Sequence, residues 1–180
     1  MNRTLNTPNL FITLLKPEHL TLLVNYQNEN REHLAKWEPA RTETYFSLEE
    51  TKKQIDKSMQ QFKSGSTVSF VSLNKSKTEI IGLCTFSDIV YSVCSACYLG
   101  YSLCERAQGK GLMFEMLQAT IKYMFEQYHL KQMMASYMPA NIRSENLLIK
   151  LGFEKEGAAK AYLKIAGQWE DHILMSKIAD

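Results

Sequence analysis

Gly109 and Gly111 stand one residue apart where an apolar strand pattern, "CYLGYSLC", gives way to a long helical pattern, "LMFEMLQATIKYMFEQY". The chain has only 8 glycines, so two at a single strand-to-helix junction call for a cause. A helix N-terminus carries unpaired N–H groups and a partial positive charge. Glycines beside it let an anion, phosphate above all, come close to the backbone. The chemistry on offer in "QGKGLM" is therefore phosphate binding. A tight turn that needs glycine sterically is the alternative, and the stretch by itself leaves both open.

Other site chemistries fit less well. A Walker A loop requires G-x-x-x-x-G-K-[ST], which the chain lacks. A dinucleotide fingerprint wants a third small residue near Phe114 and an acid about twenty residues on. Phe114 is bulky and the region near Lys131 has no such acid. Of the four cysteines, Cys94 and Cys97 form a C-x-x-C, while Cys84 and Cys104 stand alone. A zinc ribbon needs a second pair, and a thioredoxin-like motif should open a helix, whereas this one leads into a strand pattern. The cysteines are expected as small apolar side chains in or beside strands. His19, His33, His129 and His172 are scattered, and no metal site is expected.

The elements that must position the junction follow from periodicity and punctuation. "NLFITLL" alternates and reads as a first strand. One or two helices follow Pro17 and end near Trp37. Ser47 and Glu50 make a capping box for a polar helix that ends at Gly65. "TVSFVSLN" and "EIIGLCTFSDIV" form a hairpin across "NKSKTE", and "CYLGYSLC" is a further strand. In the helix after the glycines, Leu112, Met116, Thr120, Met124 and Tyr128 recur every four residues, the stripe of a helix laid on a sheet. "KQMMASYM" is a strand that stops at Pro139. "SENLLIKLGF" is a short helix with Ser144 as N-cap and Gly152 as C-cap, and two strands close the chain around Ala166 and Gly167. This is an α/β order with a mixed, mostly antiparallel sheet, expected as one domain over residues 1–180.

Composition bounds the partners. Formal net charge is +2, from 21 basic and 19 acidic residues, with no basic patch, so direct nucleic-acid binding is not expected. No apolar run is long enough for a membrane span, and "MNRTLNTPNLF" is not a signal segment. A cytoplasmic location with reduced thiols is the expectation, as monomer or homodimer.

Two longer patterns bring in a resemblance. Gln108, Gly109, Lys110, Gly111, Leu112 and Met113 resemble the Q/R-x-x-G-x-G/A signature of the GNAT acetyltransferases. "NIRSENLLIKLGF" resembles that family's N-x-x-[SA]-x-x-L-x-x-K-x-G-F, carried by Asn141, Ser144, Leu147, Lys150, Gly152 and Phe153. "WEP", "LGYSL", "MASYMPAN" and "GQWEDH" extend the likeness over essentially the whole chain, toward the RimJ/RimL-type ribosomal-protein N-terminal acetyltransferases and the RimJ side in particular. The resemblance implies a GNAT fold, with helices on both faces of a twisted sheet. It implies acetyl-CoA as cofactor, its pyrophosphate held by backbone amides of residues 108–113. It also implies pantetheine lying where the "YSL" strand, with Ser102 and Leu103, splays from the "MMASYM" strand, and Asn141 and Ser144 as further cofactor contacts. The acceptor implied is the N-terminal alanine of a small-subunit ribosomal protein.

The sequence departs from the pattern twice. Met113 fills the signature's last small position. Leu148 stands where many members carry a tyrosine acid, which leaves Ser144 as the hydroxyl to protonate the departing thiolate. An α-amine has a pKa of about 7.7–8.0 against about 10.4 for lysine, so an N-terminal acceptor needs only a modest base. Glu38 in "WEP" is the first candidate base and Asp171 the second. Trp37 and Trp169 are expected to pack the core or line the peptide groove. A backbone N–H near Leu103 is the expected donor to the carbonyl oxygen, and side-chain identity along "YSL" is expected to be free. Two alternatives share the fold: a small-amine acceptor such as a polyamine or aminoglycoside, and a non-catalytic acyl-CoA sensor or ribosome-assembly partner.

Overall fold

In the computed structural model, which describes residues 4–179, eight strands form a single sheet. They are β1 (Thr4–Asn6), β2 (Phe11–Leu14), β3 (Val68–Leu73), β4 (Ile80–Val90), β5 (Ala96–Leu103), β6 (Gln132–Tyr137), β7 (Glu154–Ile165) and β8 (Gln168–Ile178). The helices are α1 (Leu20–Glu29), α2 (Arg31–Ala35), α3 (Leu48–Lys63), α4 (Leu112–Tyr128) and α5 (Ile142–Lys150). The strand order is β1-β2-β3-β4-β5-β6-β8-β7. Every neighbouring pair is antiparallel except β5 and β6. Parallel neighbours need a crossover, and α4 is that crossover.

Side-chain alternation assigns the helices to opposite faces. Phe70, Cys84 and Tyr101 lie in cross-strand register on one face. That face meets α4, where the Phe70 ring packs edge-on to Tyr123 at 5.7 Å and Cys84 Sγ reaches Thr120 Oγ1 at 3.6 Å. Ser102 points the other way, to Tyr26 on α1. The four-residue stripe of α4 is core: Met116, Leu117, Thr120 and Met124 are fully buried. α3 puts Ile55 and Thr51 inward, Thr51 donating to Gln27 of α1 at 2.9 Å.

The expected order of elements holds, with three differences. β1 is an added three-residue edge strand, too short and polar for its alternation to show. At α3 only half of the capping box forms. Ser47 accepts from Glu50 N–H at 3.2 Å, but its own N–H bonds to Thr44 O. At α5 the N-cap is Asn141, not Ser144: the Asn141 side chain accepts from Ser144 N–H at 3.2 Å. An Asx carbonyl reaches the N–H three residues on as well as a hydroxyl does, and "N-x-x-S" contains both residue types. The final hairpin turns at Ala166 and Gly167, both at positive φ.

Candidate active site

The sheet opens between β5 and β6. Their parallel pairing covers Ala96 to Tyr98 against Gln132 to Met134 and goes no further, although β5 runs to Leu103 and β6 to Tyr137. Cys104 N–H bonds to Ile81 O. By the two-residue period of an antiparallel ladder, Ser102 and Gly100 then spend their backbone groups on β4, while Leu99, Tyr101 and Leu103 turn theirs toward the split. On the far side Ala179 N–H bonds to Lys131 O, so Met133, Ala135 and Tyr137 face β8 and Ser136 faces the split. Two free strand edges thus line a cleft that suits an extended, amide-bearing chain. Leu103 turns its backbone toward this cleft. Ser102 does not: its backbone belongs to β4, and its hydroxyl lies 2.8 Å from Tyr26 Oη.

α4 starts at the mouth of this split. Gly111 is its N-cap at φ 74°, and no side chain caps the helix. Gly109 shares the left-handed conformation at φ 73°, and a Cβ at either position would meet nothing within 4 Å. The left-handed backbone conformation therefore favours glycine, while the space beside both residues is open. The steric turn and the uncovered row of amides coexist. Met113 does not obstruct them. It is buried, and its methyl end lies beside Gly82, on the core side of the helix. Leu112 is half-buried, and Lys110 is exposed between the glycines. Gln108 braces the loop, its amide nitrogen 2.8 Å from His33 Nε2 while its carbonyl accepts from Arg143 of α5.

α5 starts on the other lip. With Asn141 serving as cap, the Ser144 side chain is free to reach across to β5, and Ser144 Oγ lies 2.6 Å from Tyr101 Oη. Burial pushes the Tyr101 phenol up to about 12, partly offset by that hydrogen bond. Leu148 is fully buried in the core and offers nothing to the split. Tyr101 is a residue that the sequence does not single out. The resemblance leaves side-chain identity along "YSL" free, whereas Tyr101 and Ser102 each engage a partner across an element boundary.

On the opposite face lies Glu38. Burial pushes its carboxyl above the usual range, against the pull of Arg41. Its charge is felt by Tyr26, the partner of Ser102, and by Tyr45. The Glu38 carbonyl accepts from Ala166 N–H at 3.0 Å, tying the "WEP" loop to the β7–β8 turn. Asp171 is differently placed. It accepts from Ala161 N–H at 2.8 Å, within a β-bulge where Ala161 has φ 45°, and that bond, then Lys160, holds its carboxyl below the usual range. Such an acid is a structural pin and a weaker base. Trp37 is half-buried, and Trp169 is 65% exposed, so Trp169 is no core residue. Cys84, Cys97 and Cys104 are buried and Cys94 is exposed, all as free thiols. Among the described residues no group of His, Cys, Asp and Glu is placed to hold a metal, and no helix is long and apolar enough to cross a membrane.

The fold and the sequence are shared with known proteins. The chain is 44% identical over 170 residues to the [ribosomal protein uS5]-alanine N-acetyltransferase of Escherichia coli (strain K12), which spans 94% of this chain and 88% of the relative. The crystal structure of the ribosomal-protein-S5-alanine acetyltransferase from Vibrio fischeri superposes with a TM-score of 0.94 at 39% identity, over 98% of this chain and 97% of that one. Mycobacterium smegmatis RimJ, solved in complex with CoA-disulfide, shares the fold with a TM-score of 0.89 at 21% identity, over 94% of this chain and 82% of that one. The model of the acetyltransferase (GNAT) domain matches residues 9–154, and the chain belongs to the GNAT acetyltransferases.

Proposed function

We propose that the protein transfers an acetyl group from acetyl-CoA to the N-terminal α-amine of a ribosomal protein, with the N-terminal alanine of a small-subunit protein as acceptor. The observation that carries the reading is the uncapped, glycine-lined start of α4 at the mouth of the β5–β6 split. An anionic group fits the first feature, and a narrow amide-bearing arm attached to it fits the second. The acceptor rests on the names of the two ribosomal-protein alanine acetyltransferases, each similar over nearly the full chain. A ribosomal acceptor places the reaction in the cytoplasm.

Each residue then has a task. The backbone amides of Gly109 to Met113 hold the pyrophosphate, with Gln108 fixing the loop and Asn141 fixing the start of α5. Leu103 directs its backbone into the split, where an N–H stabilises charge developing on the carbonyl oxygen. Acetyl-CoA supplies the activated acyl group as a thioester. Glu38 takes the proton that the α-amine sheds, directly or through water. Its raised pKa makes it a stronger base than an ordinary surface carboxylate. Ser144 gives a proton to the departing sulfur. The split itself brings the amine and the acyl group together, which supplies much of the rate.

The test is thiol release with acetyl-CoA and a panel of acceptors: peptides beginning with alanine, the same peptides with blocked N-termini, and small polyamines. Turnover of the free alanine peptides alone is expected. Turnover of polyamines alone overturns the acceptor assignment, and coenzyme A binding without any turnover overturns the transferase reading. With the peptide, activity falls as pH drops through the α-amine pKa of about 7.7–8.0 and again through the raised pKa of Glu38, and Glu38→Gln removes only the Glu38 contribution while the amine limb remains.

A further inference from the structure

The core position of Leu148 means that α5 presents no phenol to the split. A phenol reaches it from the opposite lip instead. Tyr101 is rooted on β5, three residues past the last parallel pair with β6, and its hydroxyl meets Ser144 of α5 at 2.6 Å. The contact joins the two elements that the opened sheet holds apart. We propose that Tyr101 is a positioning residue for acetyl transfer, its phenol donating to Ser144 Oγ so that the Ser144 proton is directed into the split. This rests on the reading of Ser144 as proton donor to the departing thiolate.

Relative acidity gives the direction of the hydrogen bond. Each hydroxyl has a single proton and can also accept. A phenol, at about 10, is far more acidic than an aliphatic alcohol and is the better donor of the two. Burial raises the Tyr101 pKa further, so the phenol keeps its proton at neutral pH. With Tyr101 donating, the line between the two oxygens is filled and the Ser144 proton must point elsewhere. Among the described residues no protein group accepts it. Asn141 strengthens the arrangement, because as N-cap it relieves Ser144 of any capping duty.

The step balances without an added reagent other than water. The amine nitrogen bonds to the acetyl carbon, the carbon–sulfur bond breaks, and the electron pair leaves on sulfur. Ser144 gives its proton to that sulfur, and its oxygen takes the Tyr101 proton. Tyr101 regains one from water, matching the proton that the amine releases to Glu38 and water.

The experiment is a double-mutant cycle on the full chain with Tyr101→Phe, Ser144→Ala and the double variant, each checked for native circular dichroism. Thiol release gives kcat and KM, and coenzyme A affinity is measured separately. Tyr101→Phe keeps the ring and removes one oxygen. It is expected to lower kcat about tenfold, and Ser144→Ala about a hundredfold, with coenzyme A affinity and both KM values unchanged. The double variant is expected to be no slower than Ser144→Ala, because the phenol acts only through the serine. Multiplying effects, a Tyr101→Phe enzyme with wild-type kcat, or a change confined to KM would each overturn the proposal. Thiol release reports turnover of any amine, so a wild-type preference for small amines overturns the acceptor assignment alone, and the ratios between variants still read Tyr101.

Discussion

Helices α4 and α5 follow the ends of the two strands that part company, and they begin in opposite ways. α4 begins at Gly111 in the left-handed conformation with no side chain on its amides. α5 begins at Asn141, whose side chain takes the N–H of Ser144. A bare start leaves its donors and the positive end of its dipole for a ligand. A capped start spends them internally and gains helix stability, typically about 1 kcal/mol. The difference divides the labour at the split. The α4 end is built to hold charge, and the α5 end is built to hold a side chain, Ser144, in one place.

The sharpest way to break the comparison is to cap the bare helix. Gly111→Asp puts a residue favoured at N-caps onto a start that has none. Aspartate is among the residues that tolerate positive φ, and a side chain there meets nothing within 4 Å, so the fold is expected to survive. The carboxylate then competes for the amides and repels phosphate. Coenzyme A affinity is expected to drop at least about a hundredfold, equivalent to about 2.7 kcal/mol. Gly111→Ala, which adds backbone strain and no charge, should lose far less. Unchanged affinity in the aspartate variant, measured by calorimetry on folded protein, would remove the phosphate from α4.

Removing the cap from α5 is the complementary change, with a smaller effect. Asn141→Ala is expected to cost about 1 kcal/mol, read as a fall of about 2–4 °C in Tm. It should also loosen Ser144 and lower kcat. Asn141→Ser restores a capping oxygen with a different shape. If Asn141 serves only as cap, serine recovers both Tm and coenzyme A affinity. If it also contacts the cofactor, serine recovers Tm alone.

The two helix starts also differ in how plainly the sequence announces them. The bare start is legible because left-handed backbone favours glycine, and Gly109 and Gly111 supply it twice within one strand-to-helix junction. The stripe from Met116 to Met124 and the order of elements along the chain are legible through periodicity, whereas the order of strands within the sheet is not. The start of α5 reads three residues too late in the sequence, because "N-I-R-S" offers two residue types that cap equally well in isolation. Tyr101 is not legible at all as a partner of Ser144. The two are 43 positions apart, and only the opening of the sheet brings them to one side of it. The tie between Glu38 and Ala166 escapes for the same reason. Local patterns report backbone conformation and faces, whereas contacts across the split depend on where two strands stop pairing.

The last and smallest expected effect concerns Lys110, the residue that charge alone would make the phosphate ligand. It stands exposed between two glycines whose backbone is already turned to the open side. An exposed ammonium works through water and is screened over about 8–10 Å at ordinary salt. Amides at a helix start are fixed in place and need no ordering when the anion arrives. If α4 binds through its bare backbone, Lys110→Ala should weaken coenzyme A binding by no more than about threefold, below about 1 kcal/mol. That loss should shrink as salt is raised, whereas the affinity set by the backbone persists. A loss beyond about tenfold at physiological salt would mean that the lysine, and not the uncapped helix, is the anion site. The contrast between α4 and α5 would then describe how two helices are stabilised and say nothing about what binds between them.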